Sequence, residues 1–184
     1  EGATALGLNS KAQATNAVAL GVRATVTDSG NKGVAIGEAA TSSNEKSIAI
    51  GAASKSSGNK SIAIGDAANA TNTHSFAMGG QSSSTGTNAL AIGSNTEATG
   101  DFSIAQGNAA NATALHAQAM GVEAVASAKY ATAVGSKATA SAVNSFAGGR
   151  ESSASGAQAV ALGNKAAASG GSAVAIGNES VASK

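Results

Sequence analysis

The chain has 184 residues, 42% of them hydrophobic but only 2% aromatic, with 24 glycines and no proline, tryptophan or cysteine. That composition lacks the bulky side chains of a large globular core, and the missing thiols exclude a disulfide framework and a thiolate metal centre. A net charge of +1 leaves no electrostatic footprint for nucleic acid or an anionic membrane, and no apolar run approaches the roughly 20 residues of a membrane-spanning helix.

In chain order, a glycine closes a short cassette at Gly7, Gly21, Gly37, Gly51, Gly65, Gly79, Gly93, Gly107, Gly121, Gly135, Gly149, Gly163 and Gly177. Every step is 14 residues except one of 16, between Gly21 and Gly37. Thr4-Ala5-Leu6-Gly7 opens the series, Val34-Ala35-Ile36-Gly37 and Ile62-Ala63-Ile64-Gly65 continue it, and alanine stands two before the glycine in all thirteen copies. So short and regular a repeat belongs to a solenoid, in which one coil cannot bury its own apolar face and stacks on the next. Residues 1–184 therefore read as a single array, a rod on the order of 60 Å long at ~4.8 Å per coil. No signal peptide precedes it and both ends fall inside the repeat, so the expectation is a piece of a longer protein.

Within each copy, larger apolar residues stand three and one before the glycine, as in Val18 and Leu20, Ile48 and Ile50, or Phe76 and Met78. Small residues stand four and two before it, as in Ala17 and Ala19 or Ser61 and Ala63. This period-two alternation predicts a strand with a bulky face and a small face. Three and five residues after the glycine come small residues again, Ala24 and Val26, Ser54 and Ser56, or Ala138 and Ala140, predicting a second strand with one face turned inward. One corner is the cassette glycine. The other often holds Asn or Gly, at Asn44, Gly58, Asn72, Gly86, Gly100, Gly156 and Gly170, residue types that tolerate the positive φ of a tight turn. Asp28-Ser29-Gly30-Asn31 reads as a two-residue extension of one corner.

The architecture predicted is all-β, a flattened parallel β-roll. A coiled coil fails because bulky residues at i and i+2 fall on different helix faces, and a glycine and serines in every turn oppose helix. The bulky face is expected inside, packed on the small residues of the second strand; the reverse would place Val and Ile between chains. A single coil gains too little from burial to offset its ordering entropy, so association of chains is expected.

Lys46-Ser47-Ile48-Ala49-Ile50-Gly51 and Asn144-Ser145-Phe146-Ala147-Gly148-Gly149, with Ser or Ala three residues further on, closely resemble the head repeat of YadA-like trimeric autotransporter adhesins. The resemblance covers essentially the whole chain. It implies a left-handed parallel β-roll, a side-by-side homotrimer, and a place on the surface of a Gram-negative cell. Neck, stalk and outer-membrane anchor would lie in segments outside this chain. It further implies binding to extracellular-matrix proteins of the collagen, fibronectin or laminin class, or to a host-cell receptor. The alternative is a structural fibre segment, a spacer mediating autoagglutination or biofilm formation. Gln106, Gln118, Thr132 and Gly148 depart from the pattern at bulky positions and put uniform packing of the later coils in question.

In a roll, equivalent positions form columns. Five residues before the glycine, successive coils carry Lys32, Lys46, Lys60 and His74, a basic column suited to an acidic ligand; the same column later carries Phe102, His116 and Tyr130, an exposed aromatic stripe. These seven are the candidate ligand-binding residues, and the cassette glycines are structural. Two residues after the glycine, Glu123, Lys137, Glu151, Lys165 and Glu179 alternate in sign and read as a charge ladder. His74 and His116 lie too far apart in the array for one metal, and no nucleophile, paired-carboxylate or phosphate-loop arrangement recurs. No enzyme activity, metal or cofactor is expected, nor any nucleic-acid partner or membrane insertion by this chain.

Overall fold

The computed structural model describes residues 2–184, which form two compact units that divide after Asn95. In the first unit, Thr4–Leu6, Val18–Leu20, Val34–Ile36, Ile48–Ile50, Ile62–Ile64, Phe76–Met78 and Leu90–Ile92 pair in parallel and in register. Lys11–Ala12, Thr25–Val26, Thr41–Ser42, Lys55–Ser56, Asn69–Ala70 and Ser83–Ser84 form a second parallel ladder. The second unit repeats the plan. Ile104–Gln106 through Val174–Ile176 make one ladder, and Glu97–Ala98 through Val181–Ala182 the other. Each turn thus adds one strand to each of two parallel sheets, the β-roll that the 14-residue period predicts.

The interior is the reverse of the expected one. Ala5 is exposed in the terminal first cassette, but the alanine in the middle of the cassette is fully buried at Ala19, Ala35, Ala49, Ala63, Ala77 and Ala91 and again at Ala105, Ala119, Ala133, Ala147 and Ala161. It faces the small residues three and five after the glycine, such as Ala68 and Ala70 or Ala138 and Ala140. The bulky flanks point outward: Val18, Ile48, Ile50, Ile62 and Ile64 are half-buried, and Leu20 is 40% and Met78 39% exposed. The reason is width. Ser42 and Ser47, from the two sides of one turn, bring their hydroxyls to 2.6 Å, and Ser56 and Ser61 do the same. A gap of that size holds one thin layer, so Ala and Ser go in, and strand alternation sends Val and Ile out.

The corners differ from expectation too. The cassette glycine behaves as predicted: Gly65 has φ +133°, and a Cβ there would lie 2.5 Å from the carbonyl oxygen of Gly79 in the next turn. The other left-handed residues, however, are not Asn44 or Gly58. They stand five before and two after the glycine, where twenty-five non-glycine residues have φ between +51° and +60°. Gly58 is instead a close-approach position, since a Cβ there would meet the backbone of Asn72. Where asparagine takes the equivalent place, its amide donates to the next turn, as Asn44 Nδ2 does to the Ser57 carbonyl at 2.5 Å.

The 16-residue step is absorbed at one corner. Gly30 N–H donates to the Thr27 carbonyl and Gly33 N–H to that of Gly30, at 2.8 and 2.6 Å, while Val18 stays paired with Val34. The longer corner makes room inside for Val26, a fully buried valine that abuts Gly30 and Gly33. In the second unit, Gln106, Gln118, Thr132 and Gly148 leave the ladders unbroken. The side chains of Gln106, Gln118 and Thr132 lie outside, and the Phe146 ring covers the notch at Gly148, where a Cβ would lie 2.7 Å from Phe146 Cε1.

Candidate binding columns at the turns

Among the described residues there is no cavity, and no group of three or more His, Asp or Glu side chains is arranged to hold a metal. No helix among the described residues is long and apolar enough to cross a membrane. What the fold offers is columns, fixed by backbone ladders at the corners. In the first unit the N–H groups of Lys46, Lys60 and His74 donate to the carbonyls of Asn31, Glu45 and Asn59 at 2.9, 2.9 and 3.0 Å. The Cα atoms therefore repeat at the strand spacing, ~4.8 Å, and the side chains of Lys32, Lys46, Lys60 and His74 all emerge exposed. The column is as the sequence predicts. Unforeseen is its conformation, since all four residues sit in the left-handed region at φ +55° to +59°.

Glu45 modifies that column. Its carboxylate lies 2.9 Å from Lys46 Nζ, and the hydrogen bond and charge of Lys46 hold its pKa below the usual carboxylate value, with Asn59 and Lys32 adding to the effect. Neither Lys32 nor Lys60 is in an ion pair among the described residues.

In the second unit the same position carries the aromatic stripe, and the rings stack. Phe102 and His116 have centroids 5.0 Å apart with planes 15° from parallel, and His116 and Tyr130 follow at 5.2 Å and 13°. Lys129 Nζ stands 5.0 Å from the Tyr130 ring centroid, a cation–π contact that the sequence reading missed. Phe102 and Tyr130 are both about half exposed at φ +57° and +60°. A bulky residue with positive φ is uncommon and strained. The turn ladder holds these rings there regardless, because Tyr130 N–H donates to the Leu115 carbonyl at 3.0 Å.

The expected charge ladder is made only in part. Lys137 Nζ reaches Glu123 at 3.8 Å, but Glu151 bonds to its chain neighbour Arg150 rather than to a lysine of an adjacent turn. That hydrogen bond lowers the Glu151 pKa. Arg23 and Glu38, 2.5 Å apart in the first unit, are a further exposed pair.

The largest feature missed is the outer face of the first sheet. Val34, Ile36, Ile48, Ile50, Ile62 and Ile64 form a half-buried apolar strip on the outer face of the first unit's sheet. The signal was present in the sequence. Apart from Val26 and Thr96, the fully buried positions hold nothing larger than serine, alanine or glycine, so the small faces had to be the facing ones.

A parallel roll with an alanine and serine interior, chemistry confined to turn columns and an open apolar strip is a repeat-built scaffold for presenting surfaces. Residues 1–24, 29–54, 56–82, 70–96, 84–110, 98–124, 112–138, 126–152 and 154–180 match the YadA head domain repeat (2 copies). With nearly its whole length matched, the chain belongs to the YadA head-domain family, a family of adhesins and not of enzymes. A comparison with curated proteins gives no match.

Proposed function

We propose that this chain is the head of a trimeric autotransporter adhesin at the outer surface of a Gram-negative cell, held to the outer membrane through segments outside this chain. Three copies stand side by side as left-handed rolls, each a single array, and bind host extracellular-matrix proteins of the collagen, fibronectin or laminin class, or a host-cell receptor. The observation that carries the reading, beside the family, is the open strip at Ile48, Ile50, Ile62 and Ile64. A contiguous apolar strip on an outer face marks a place of association, and a second and third copy of the same strip cover it by symmetry. Lys32, Lys46, Lys60 and His74, with Phe102, His116 and Tyr130, lie on the turns and are the proposed contacts. Each contact is weak, and repetition along a roll and around a trimer raises the effective concentration of the next one.

Sedimentation equilibrium of the chain tests the assembly, with a trimer expected and a stable monomer refuting it. Adhesion of the same material to immobilised collagen, fibronectin and laminin, and to host cells, tests the role. Adhesion that needs the longer protein would make this segment a spacer and self-association element instead.

A further inference from the structure

The first unit holds a row of like charges that its own fold does not neutralise. Lys32, Lys46 and Lys60 occupy three successive turns, followed by His74, and their Cα positions are fixed by the corner hydrogen bonds. No other column puts cations on three consecutive turns. Elsewhere in the chain, several cations on the turns find acids, Arg23 with Glu38, Lys137 with Glu123 and Arg150 with Glu151, while Lys165 has Glu151 and Glu179 as its column neighbours and Lys129 lies over the Tyr130 ring. Among the described residues only Lys46 of this column is in an ion pair, with Glu45, and, although the charge of Lys32 is felt by Glu45, Lys32 and Lys60 on either side are in none. The two stand two turns apart, ~9.6 Å at the strand spacing, a span that a disaccharide bridges.

From this geometry we infer that the Lys32–Lys46–Lys60–His74 column is a docking track for a linear sulfated polysaccharide, whose regularly spaced anions meet the regularly spaced ammonium groups. The inference rests on the adhesin reading for its setting, a host surface rich in such chains, but the binding itself is a property of this column. Three features select a glycan over other polyanions. On these turns the column carries no Phe, Tyr or Trp, and its one ring, His74, stands at the end, so no run of rings is offered for successive nucleic-acid bases to stack on. It also lacks the buried aromatic or aliphatic anchor that centres a protein interface. Its neighbours in the adjoining column are Asn31, Glu45, Asn59 and Thr73: the amides and the hydroxyl suit sugar hydroxyls, and the one carboxylate is taken up by Lys46. The rest of the chain is nearly neutral, so attraction is local to this edge.

The test uses the full chain and immobilised heparin, with desulfated heparin and polyglutamate as parallel surfaces. Binding to heparin is expected, falling as salt rises because condensed counterions are released. Lys32→Gln with Lys60→Gln should weaken it at least about tenfold, whereas Lys32→Arg with Lys60→Arg should keep it. Both substitutions have precedent in the chain's own left-handed turns, at Gln158 and Arg23 with φ +60° and +58°, and a thermal melt matching the parent confirms the fold. Heparin binding that survives the glutamine pair, or equal binding to desulfated heparin or polyglutamate, overturns the inference. The two readings separate cleanly. Adhesion to glycan-free matrix protein without heparin binding removes the track and leaves the adhesin head. Heparin binding by a chain that adheres to no host surface does the opposite.

Discussion

The two units build one fold from different interiors. The first mixes serines into an alanine core, Ser42, Ser47, Ser54, Ser56, Ser61, Ser75, Ser82 and Ser84 all being fully buried, while the second is almost wholly alanine with Thr96, Ser103, Ser145 and Ser152. Where Ser56 and Ser61 share a hydrogen bond at 2.6 Å, the equivalent pair in the second unit is Ala112 and Ala117, equally buried. In that pair Ser61 Oγ donates to the Gly58 carbonyl at 2.8 Å and accepts from Ser56 Oγ, whereas the buried Ser103 Oγ of the second unit has no partner among the described residues. A buried pair of polar groups that satisfy each other is close in free energy to a pair of apolar ones of the same shape. Size therefore governs this core, and polarity does not. Outside, the units diverge further, because the first presents an unbroken apolar strip and a basic column where the second has Gln106, Gln118 and Thr132 on its sheet and stacked rings on its turns.

The largest expected effect attacks the shared feature. Ala63→Leu in the first unit and Ala119→Leu in the second should each destabilise by about 3 kcal/mol, since a thin layer bounded by backbone has nowhere to yield. Thermal melts measure this, and a unit that accepts leucine does not have the narrow interior described. Next comes the difference between the outer faces. Ile50→Asp with Ile64→Asp should dissociate the assembly seen by sedimentation, whereas Gln106→Asp with Gln118→Asp should leave it largely associated. Equal effects would mean that the apolar strip does not drive association. Tyr130→Ala removes one end of the ring stack and should cost about 0.5 to 1.5 kcal/mol, a loss absent from Lys60→Ala at the same position of the other unit.

The smallest effect concerns charge. Lys46→Gln should move the Glu45 carboxyl back up toward the ordinary carboxylate value, read by NMR titration of its side chain. The sign follows from linkage. The folded Glu45 pKa lies below the unfolded one, so its contribution to stability is present above the unfolded value and is lost as pH falls through the folded one. Without Lys46 that loss begins at higher pH. An unmoved titration would show that the Lys46–Glu45 contact does not persist in solution.

Much of this was legible in the sequence. The spacing of Gly37, Gly51 and Gly65 is enough to give the period, the parallel pairing and the register of Ile48 on Ile62, because identical turns can stack in phase only one way. Two points were misread from the same residues. The rule that bulky apolar side chains go inside fails at Ile48 and Ile50 because it assumes a core wide enough to hold them. The positive φ was sought at Asn44 and Gly58, residue types that tolerate it, but it falls on Lys46 and Lys60. The missed clue is that none of the left-handed columns contains Val, Ile or Thr, though all three recur throughout the chain. The columns themselves were legible as spacing, but the Phe102–His116–Tyr130 stack and the Lys46–Glu45 pair depend on side-chain direction, which periodicity does not encode.

The most direct measurement of the inside-out arrangement exploits the absence of cysteine from the chain. Ser56→Cys with Ser61→Cys places two thiols where the hydroxyls now lie 2.6 Å apart across the interior, and Lys55→Cys with Lys60→Cys gives a control of equal sequence separation at two exposed positions. Under mild oxidation of the folded protein, mass spectrometry should find the intrachain disulfide nearly complete for the first pair and scarce for the second. Scarce bonding between positions 56 and 61 would mean that the small residues do not face one another, and that the bulky face fills the roll after all.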